Sequence, residues 1–153
     1  TTSVTETTGA AVSVGETATF TFTVTFPEGT TPSAIVTFDL PATSGGVMSV
    51  VSSRIVSIGA GVSNTASLTA GSSGVASNVV DPSDALDDRV VFDLLKVTNV
   101  GNNVADVGDQ VTFEVVALVD DVAVNAPGAS LPSSLTADFG AAGSLTGGAR
   151  GEH

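Results

Sequence analysis

From Thr17 to Phe26 the chain alternates at every step: Ala18, Phe20, Phe22, Val24 and Phe26 stand on even positions, and Thr17, Thr19, Thr21, Thr23 and Thr25 on odd ones. A side-chain period of two belongs to a β-strand with one dry face and one wet face. The run opens on Gly15-Glu16. A second copy opens on Gly108-Asp109 and continues Gln110-Val111-Thr112-Phe113-Glu114-Val115-Val116-Ala117. A tandem repeat of that spacing would need a second copy running past residue 153. Both segments are therefore expected to be strands of one domain, each opened by the same Gly-acid turn.

The same reading predicts strands near residues 11–14, 34–40, 47–58, 64–68, 75–80, 89–97 and 134–139, besides 17–26 and 110–119. Pro27-Glu28-Gly29 and the stretch from Pro41 to Gly46 carry turn chemistry. Asp81-Pro82-Ser83-Asp84 suits one short helical turn, with Asp81 as N-cap and Pro82 at the first helical position. Many short strands and little helical periodicity predict an all-β fold, an immunoglobulin-like antiparallel β-sandwich. Residues 1–9 and 141–153 have little to bury and read as a linker and as a linker or tail, leaving 10–140 as a single β-sandwich domain.

Composition narrows the function classes. The chain has 153 residues and a net charge of −12, from 16 acidic and 4 basic residues. So few cations cannot neutralise a phosphate backbone, which excludes nucleic acid and disfavours anionic membranes. No run approaches a membrane span, so no membrane insertion is expected. A charged-then-apolar start is missing, so any signal peptide is expected to have been removed or to lie in a longer parent. Cys is absent, and with it disulfides, thiolate metal sites and cysteine nucleophiles. Trp and Tyr are absent too, which removes the residues that dominate binding hot spots and sugar-stacking platforms.

Enzymatic chemistry finds no constellation. His153 is the only histidine and stands at the end of the chain, so no Ser-His-acid arrangement can form. Paired carboxylates could in principle cleave glycosides, but without aromatic platforms to line the cleft. Two oxygen-rich clusters could hold calcium: Asp81, Asp84, Asp87 and Asp88, and Asn99, Asn102, Asn103, Asp106 and Asp109. Calcium takes six to eight oxygen ligands, often Asp and Asn on loops. Asp and Asn are equally the residues of turns and caps, and that reading needs no metal.

Two stretches resemble a known family. Val91-Phe92-Asp93, Val97-Thr98-Asn99, Gly101-Asn102-Asn103, Asp106, Asp109-Gln110-Val111 and Glu114 to Val119 resemble the second half of immunoglobulin-like repeats in giant surface proteins and fimbrial adhesins, with relatives in mastigoneme-like filament proteins. Val14-Gly15-Glu16, Phe20, Val24, Pro27-Glu28-Gly29-Thr30, Val36 and Leu40-Pro41 resemble the opening half, and Leu135-Thr136-Ala137-Asp138-Phe139 the last strand. The resemblance implies an extracellular or cell-surface sandwich, strung in tandem or assembled into a filament with neighbouring copies. Some members form an internal Lys–Asn isopeptide bond. Here that would involve Lys96, the only lysine, with Asn99 or Asn125 as partner and Asp93 or Glu114 as the acid. Lys96 follows Phe92 and Leu94 at even spacing, so it is expected to point inward.

Two functions follow as expectations. One is an extracellular structural module, a spacer repeat or filament subunit of a cell-surface appendage or adhesin. The other is a calcium-assisted adhesin or cohesin-like protein-binding module, since cohesin-like sandwiches share the Gly108-Asp109-Gln110-Val111-Thr112 type of strand opening.

Overall fold

The computed structural model describes residues 15–40, 48–79, 86–120, 134–140 and 144–147. They form nine strands: β1 (Thr17–Thr25), β2 (Gly29–Asp39), β3 (Met48–Ile58), β4 (Val62–Asn64), β5 (Val75–Ser77), β6 (Arg89–Asn99), β7 (Gln110–Val119), β8 (Ser134–Asp138) and β9 (Ser144–Gly147). One 3₁₀ turn, Val107–Asp109, precedes β7. The strands make two antiparallel sheets packed face to face, an all-β sandwich. The smaller runs β1-β7-β3; the larger runs β4-β6-β2-β8-β9, with β5 also on β6.

Alternation produces this architecture directly. Ala18, Phe20, Phe22 and Val24 of β1 are buried, as are Val111, Phe113, Val115, Ala117 and Val119 of β7. They meet Val36 and Phe38 of β2 and Val90, Phe92 and Leu94 of β6 from the opposite sheet. Phe38 stacks on Phe22, whose other ring neighbour is Phe113; Phe113 in turn tilts against Phe92 at 4.8 Å. These rings tie the sheets together at the centre, where burial of each contributes about 2–3 kcal/mol.

The two copies of the Gly-acid strand pair with each other. Thr17 to Thr25 of β1 lie opposite Leu118 to Gln110 of β7 without a break in register. Each copy therefore starts where the other ends, and Glu16 and Asp109 bury their carboxylates at opposite ends of the sheet. We call the end holding Thr25, Asn99 and Asp109 the loop pole. The entry pole holds Thr17, Asp39, Arg89 and Ser134. Ring contacts fix the alignment, Phe20 on Phe38 near the entry pole and Phe26 on Phe139 near the loop pole. Gly15 and Gly147 both lie at the entry pole, the latter opposite Leu135.

The strand bounds differ from expectation where the main chain is irregular. β2 begins at Gly29 and accommodates Pro32 through a break in its register with β6, as a residue without an N–H requires. The expected strand at 64–68 is a turn instead: β4 ends at Asn64, whose side chain exchanges hydrogen bonds with Leu68, and the strand expected at 75–80 shortens to Val75–Ser77. β9 falls within 141–153, so the sheet continues beyond residue 140 into a segment read as a tail. The strand at 11–14, the Pro41–Gly46 turn and the helical turn at 81–84 lie outside the described residues.

A second irregularity overturns the placing of Lys96. Ala34 opposes Leu95 but Ile35 opposes Asp93, so Leu94 is an extra residue in β6. Leu95 takes φ 56°, and its N–H is held by the Asp93 carboxylate at 3.0 Å. Such a bulge shifts the phase of everything after it. Leu94 and Val97 are both buried, while Leu95 and Lys96 are both exposed. Lys96 therefore stands in water instead of on the Phe92–Leu94 face.

Candidate functional site

The richest polar constellation lies at the loop pole, and it starts with Asn99. The bulge that expels Lys96 turns Val97 and Asn99 inward, leaving a carboxamide 2 % exposed at the end of β6. Its Nδ2 donates to the Phe26 carbonyl at 2.9 Å and to Asp109 Oδ1 at 3.0 Å. Asn99 Oδ1 finds no donor among the described residues. It faces Gly61, where a Cβ would come within 2.8 Å of it.

Around this centre the loop 100–109 is braced from inside. Asp106 caps the 3₁₀ turn: its Oδ1 accepts from Gly108 N at 2.7 Å, and Asp109 Oδ2 accepts from Asp106 N at 3.0 Å. Asn102 Nδ2 donates to Asp106 Oδ2, and Asn102 Oδ1 accepts from Val104 N. Glu28, in the turn between β1 and β2, reaches across so that Oε1 accepts from the successive N–H groups of Asn102 and Asn103 at 2.8 and 2.6 Å. Asn103, at φ 60°, helps aim that pair of donors, a small anion cradle occupied by the protein's own carboxylate.

Two glycines let this loop dock. A Cβ on Gly59 would lie 2.3 Å from the Gly108 carbonyl oxygen, and Gly61 N donates to that same oxygen at 3.0 Å. Only main chain without side chains fits there. Neither glycine nor Glu28 was foreseen as part of the site; the Pro27-Glu28-Gly29 pattern signals a turn but not its reach.

The predicted calcium residues divide accordingly. Asn99, Asn102, Asp106 and Asp109 do come together, but N–H donors fill their side-chain oxygens, Asn99 Oδ1 excepted. Asp87 and Asp88 lie at the entry pole, so the two clusters are not one site. The Asp87 carbonyl accepts from Val50 N, and the buried Asp88 accepts from Val79 N through Oδ1. Asp81, Asp84 and Asn125 lie outside the described residues. Among the described residues no three Asp, Glu, His or Cys side chains group to hold a metal.

The isopeptide set is dispersed. Lys96 is exposed and Asn99 is buried in the network above. Glu114, on the outer face of the smaller sheet, accepts from Arg54 at 2.9 Å, and that hydrogen bond raises the arginine's pKa further above its usual value. Arg89 makes a bidentate pair with Asp39 across β2 and β6, with the same upward effect.

Beside the exposed Asn102, Asn103 and Asp106, the braced loop presents three valines outward: Val100, Val104 and Val107 are 70 %, 57 % and 79 % exposed. No protein-family model, no curated protein and no solved structure matches this chain.

Proposed function

We propose that this chain is an extracellular structural module that associates with copies of itself, a filament subunit of a cell-surface appendage or adhesin. The observation carrying this reading is the placement of Gly15 and Gly147 at the same pole. Tension applied at these two glycines would peel β1 from β7 and β9 from β8, opening hydrogen bonds one after another. A spacer stretched between neighbours holds best when force shears its strands, so the geometry favours a subunit joined through its surfaces. Fixed polar groups suit the same role. Side chains at both poles are spent on bracing loops, and the acidic surface opposes indiscriminate aggregation.

The resemblance to surface-protein repeats supports the extracellular setting. A second reading, a protein-binding module of the adhesin or cohesin-like kind, draws support from Val100, Val104 and Val107 on their rigid loop. Calcium in that reading would have to share Asp106 and Asp109 with the N–H donors that each of their oxygens already accepts.

Negative-stain electron microscopy of material isolated from its native source, at low and high calcium, tests the proposal. Filaments with a regular repeat are expected under both conditions. Dispersed single particles under both would overturn the subunit reading and leave the binding module.

A further inference from the structure

Asn99 carries an imbalance that its own network does not resolve. Nδ2 makes two hydrogen bonds, while Oδ1, in a side chain 2 % exposed, accepts none among the described residues. A buried amide oxygen without a donor is costly unless something beyond the fold's own N–H groups reaches it. Asp109 carries a second imbalance. Its carboxylate is 3 % exposed, and among the described residues no lysine, arginine or histidine pairs with it. Buried charges are ordinarily paired or bound to a metal. The bulge has turned Lys96, the nearest cation in sequence, into water.

The ladder beside Asn99 leaves a third group open. Val62 opposes Asn99 across β4 and β6, which sets Gly61 opposite Val100. Val100 N donates to the Gly61 carbonyl at 2.9 Å, but Gly61 N does not return the bond; it donates to the Gly108 carbonyl at 3.0 Å. A bonded antiparallel pair exchanges both, so the Val100 carbonyl has no donor among the described residues. Asn99 Oδ1 and the carbonyl oxygens of Gly108 and Val100 all face Gly61, at 2.8, 3.2 and 3.4 Å from the place its Cβ would take. Three oxygens thus converge on the side of the turn that glycine keeps free of a side chain.

We propose that Asn99 Oδ1 and the carbonyl oxygens of Val100 and Gly108 hold a monovalent metal cation, sodium or potassium. The site is independent of the self-association reading. Its donors are neutral, and main-chain carbonyls of this kind replace the hydration shell of monovalent ions. Calcium draws carboxylates into its shell. Here each oxygen of Asp106 and Asp109 already accepts an N–H. A water could donate to two of the three oxygens, but it would leave the Asp109 charge unbalanced. A cation balances that charge through Asn99. Drawing electrons toward Oδ1 makes the Nδ2–H a stronger donor to Asp109 Oδ1. Val100 lies open to water, which completes the shell. Bound there, the ion ties the 59–61 turn, the end of β6 and the 100–109 loop into one pole.

The full chain is melted in sodium or potassium chloride, each titrated against choline chloride at constant ionic strength. Choline is too large for a cradle of main-chain oxygens. We expect the melting temperature to rise as sodium or potassium replaces choline, by about 3–5 °C for each tenfold in concentration once the site fills. Amide spectra of the same titration locate the ion. The N–H groups of Gly101 and Asp109, which follow the ligating carbonyls, and the Asn99 carboxamide should shift and saturate together. Gly61→Ala, which fills the cradle, should abolish those shifts; the wild-type titration decides alone if that variant does not fold. Equal melting temperatures in all three salts would overturn the proposal and leave a water on Oδ1. So would shifts that never saturate or that spread over the acidic surface, which report screening. A saturable response to calcium alone would overturn it too and return the loop to the calcium reading.

Discussion

β1 and β7 open with the same Gly-acid step and alternate in the same way, yet among the described residues β7 is the middle of its sheet and β1 is a border. Their outer faces record the difference. β7 shows Gln110, Thr112, Glu114, Val116 and Leu118, flanked on both sides, whereas β1 shows only threonine. One direct link joins the faces, Thr23 Oγ1 to Thr112 Oγ1 at 3.0 Å. Period-two patterning fixes which face of a strand is buried. It is silent about how many neighbours the strand has, because that depends on main-chain groups common to every residue.

The sharpest way to break this comparison is to remove a ring from each strand. Phe113→Ala empties the centre, where the ring meets Phe22 and Phe92, and should cost about 4–5 kcal/mol in denaturant unfolding. Phe22→Ala, on the border strand, should cost nearer about 3 kcal/mol. Equal losses would mean that the edge is covered as well as the centre.

Next comes the loop pole, where both strands meet the Asn99 network. Asn99→Ala strips donors from Asp109 Oδ1 and the Phe26 carbonyl, and should destabilise by about 2–3 kcal/mol. Asn99→Asp, a near-isostere, should do no better, since it sets a second carboxylate against Asp109. Gly59→Ala drives a methyl into the Gly108 carbonyl and should cost about 1–3 kcal/mol as the 3₁₀ turn shifts. A wild-type midpoint for Gly59→Ala would show that the loop floats free of the 59–61 turn.

The smallest effects belong to the outer faces. Glu114→Gln breaks an ion pair whose arginine is open to water, and should leave the denaturation midpoint unmoved. Lys96→Ala should likewise be neutral. The intact mass of the native protein should match its sequence without the ammonia that a Lys–Asn bond releases. A chelator should leave the melting temperature unchanged, because the 99–109 loop is braced by its own N–H donors and no three acidic side chains group there among the described residues. A downward shift would return the 99–109 loop to the calcium reading.

Much of this was legible in the sequence, for a physical reason that also sets its limit. Alternation at 17–26 and 110–119 gives the sandwich and its dry faces, and the Gly-acid openings give two strands of one domain. Lys96 was misplaced because a bulge has no period. Leu95 is an ordinary apolar residue, and what turns it is the Asp93 carboxylate on its N–H together with register slippage against Pro32. The 99–109 oxygens were rightly grouped, but their purpose was hidden. Whether Asp and Asn face a cation or an N–H depends on donors supplied by the local fold and by Glu28, far away in sequence. Gly59 and Gly61 became intelligible only once the Gly108 carbonyl was found against them.

The central claim is self-association, and sedimentation velocity of the intact chain across concentration, in calcium and in chelator, tests it most directly. The account predicts species heavier than one chain that grow with concentration alike in both. A single monomeric boundary at every concentration would contradict it.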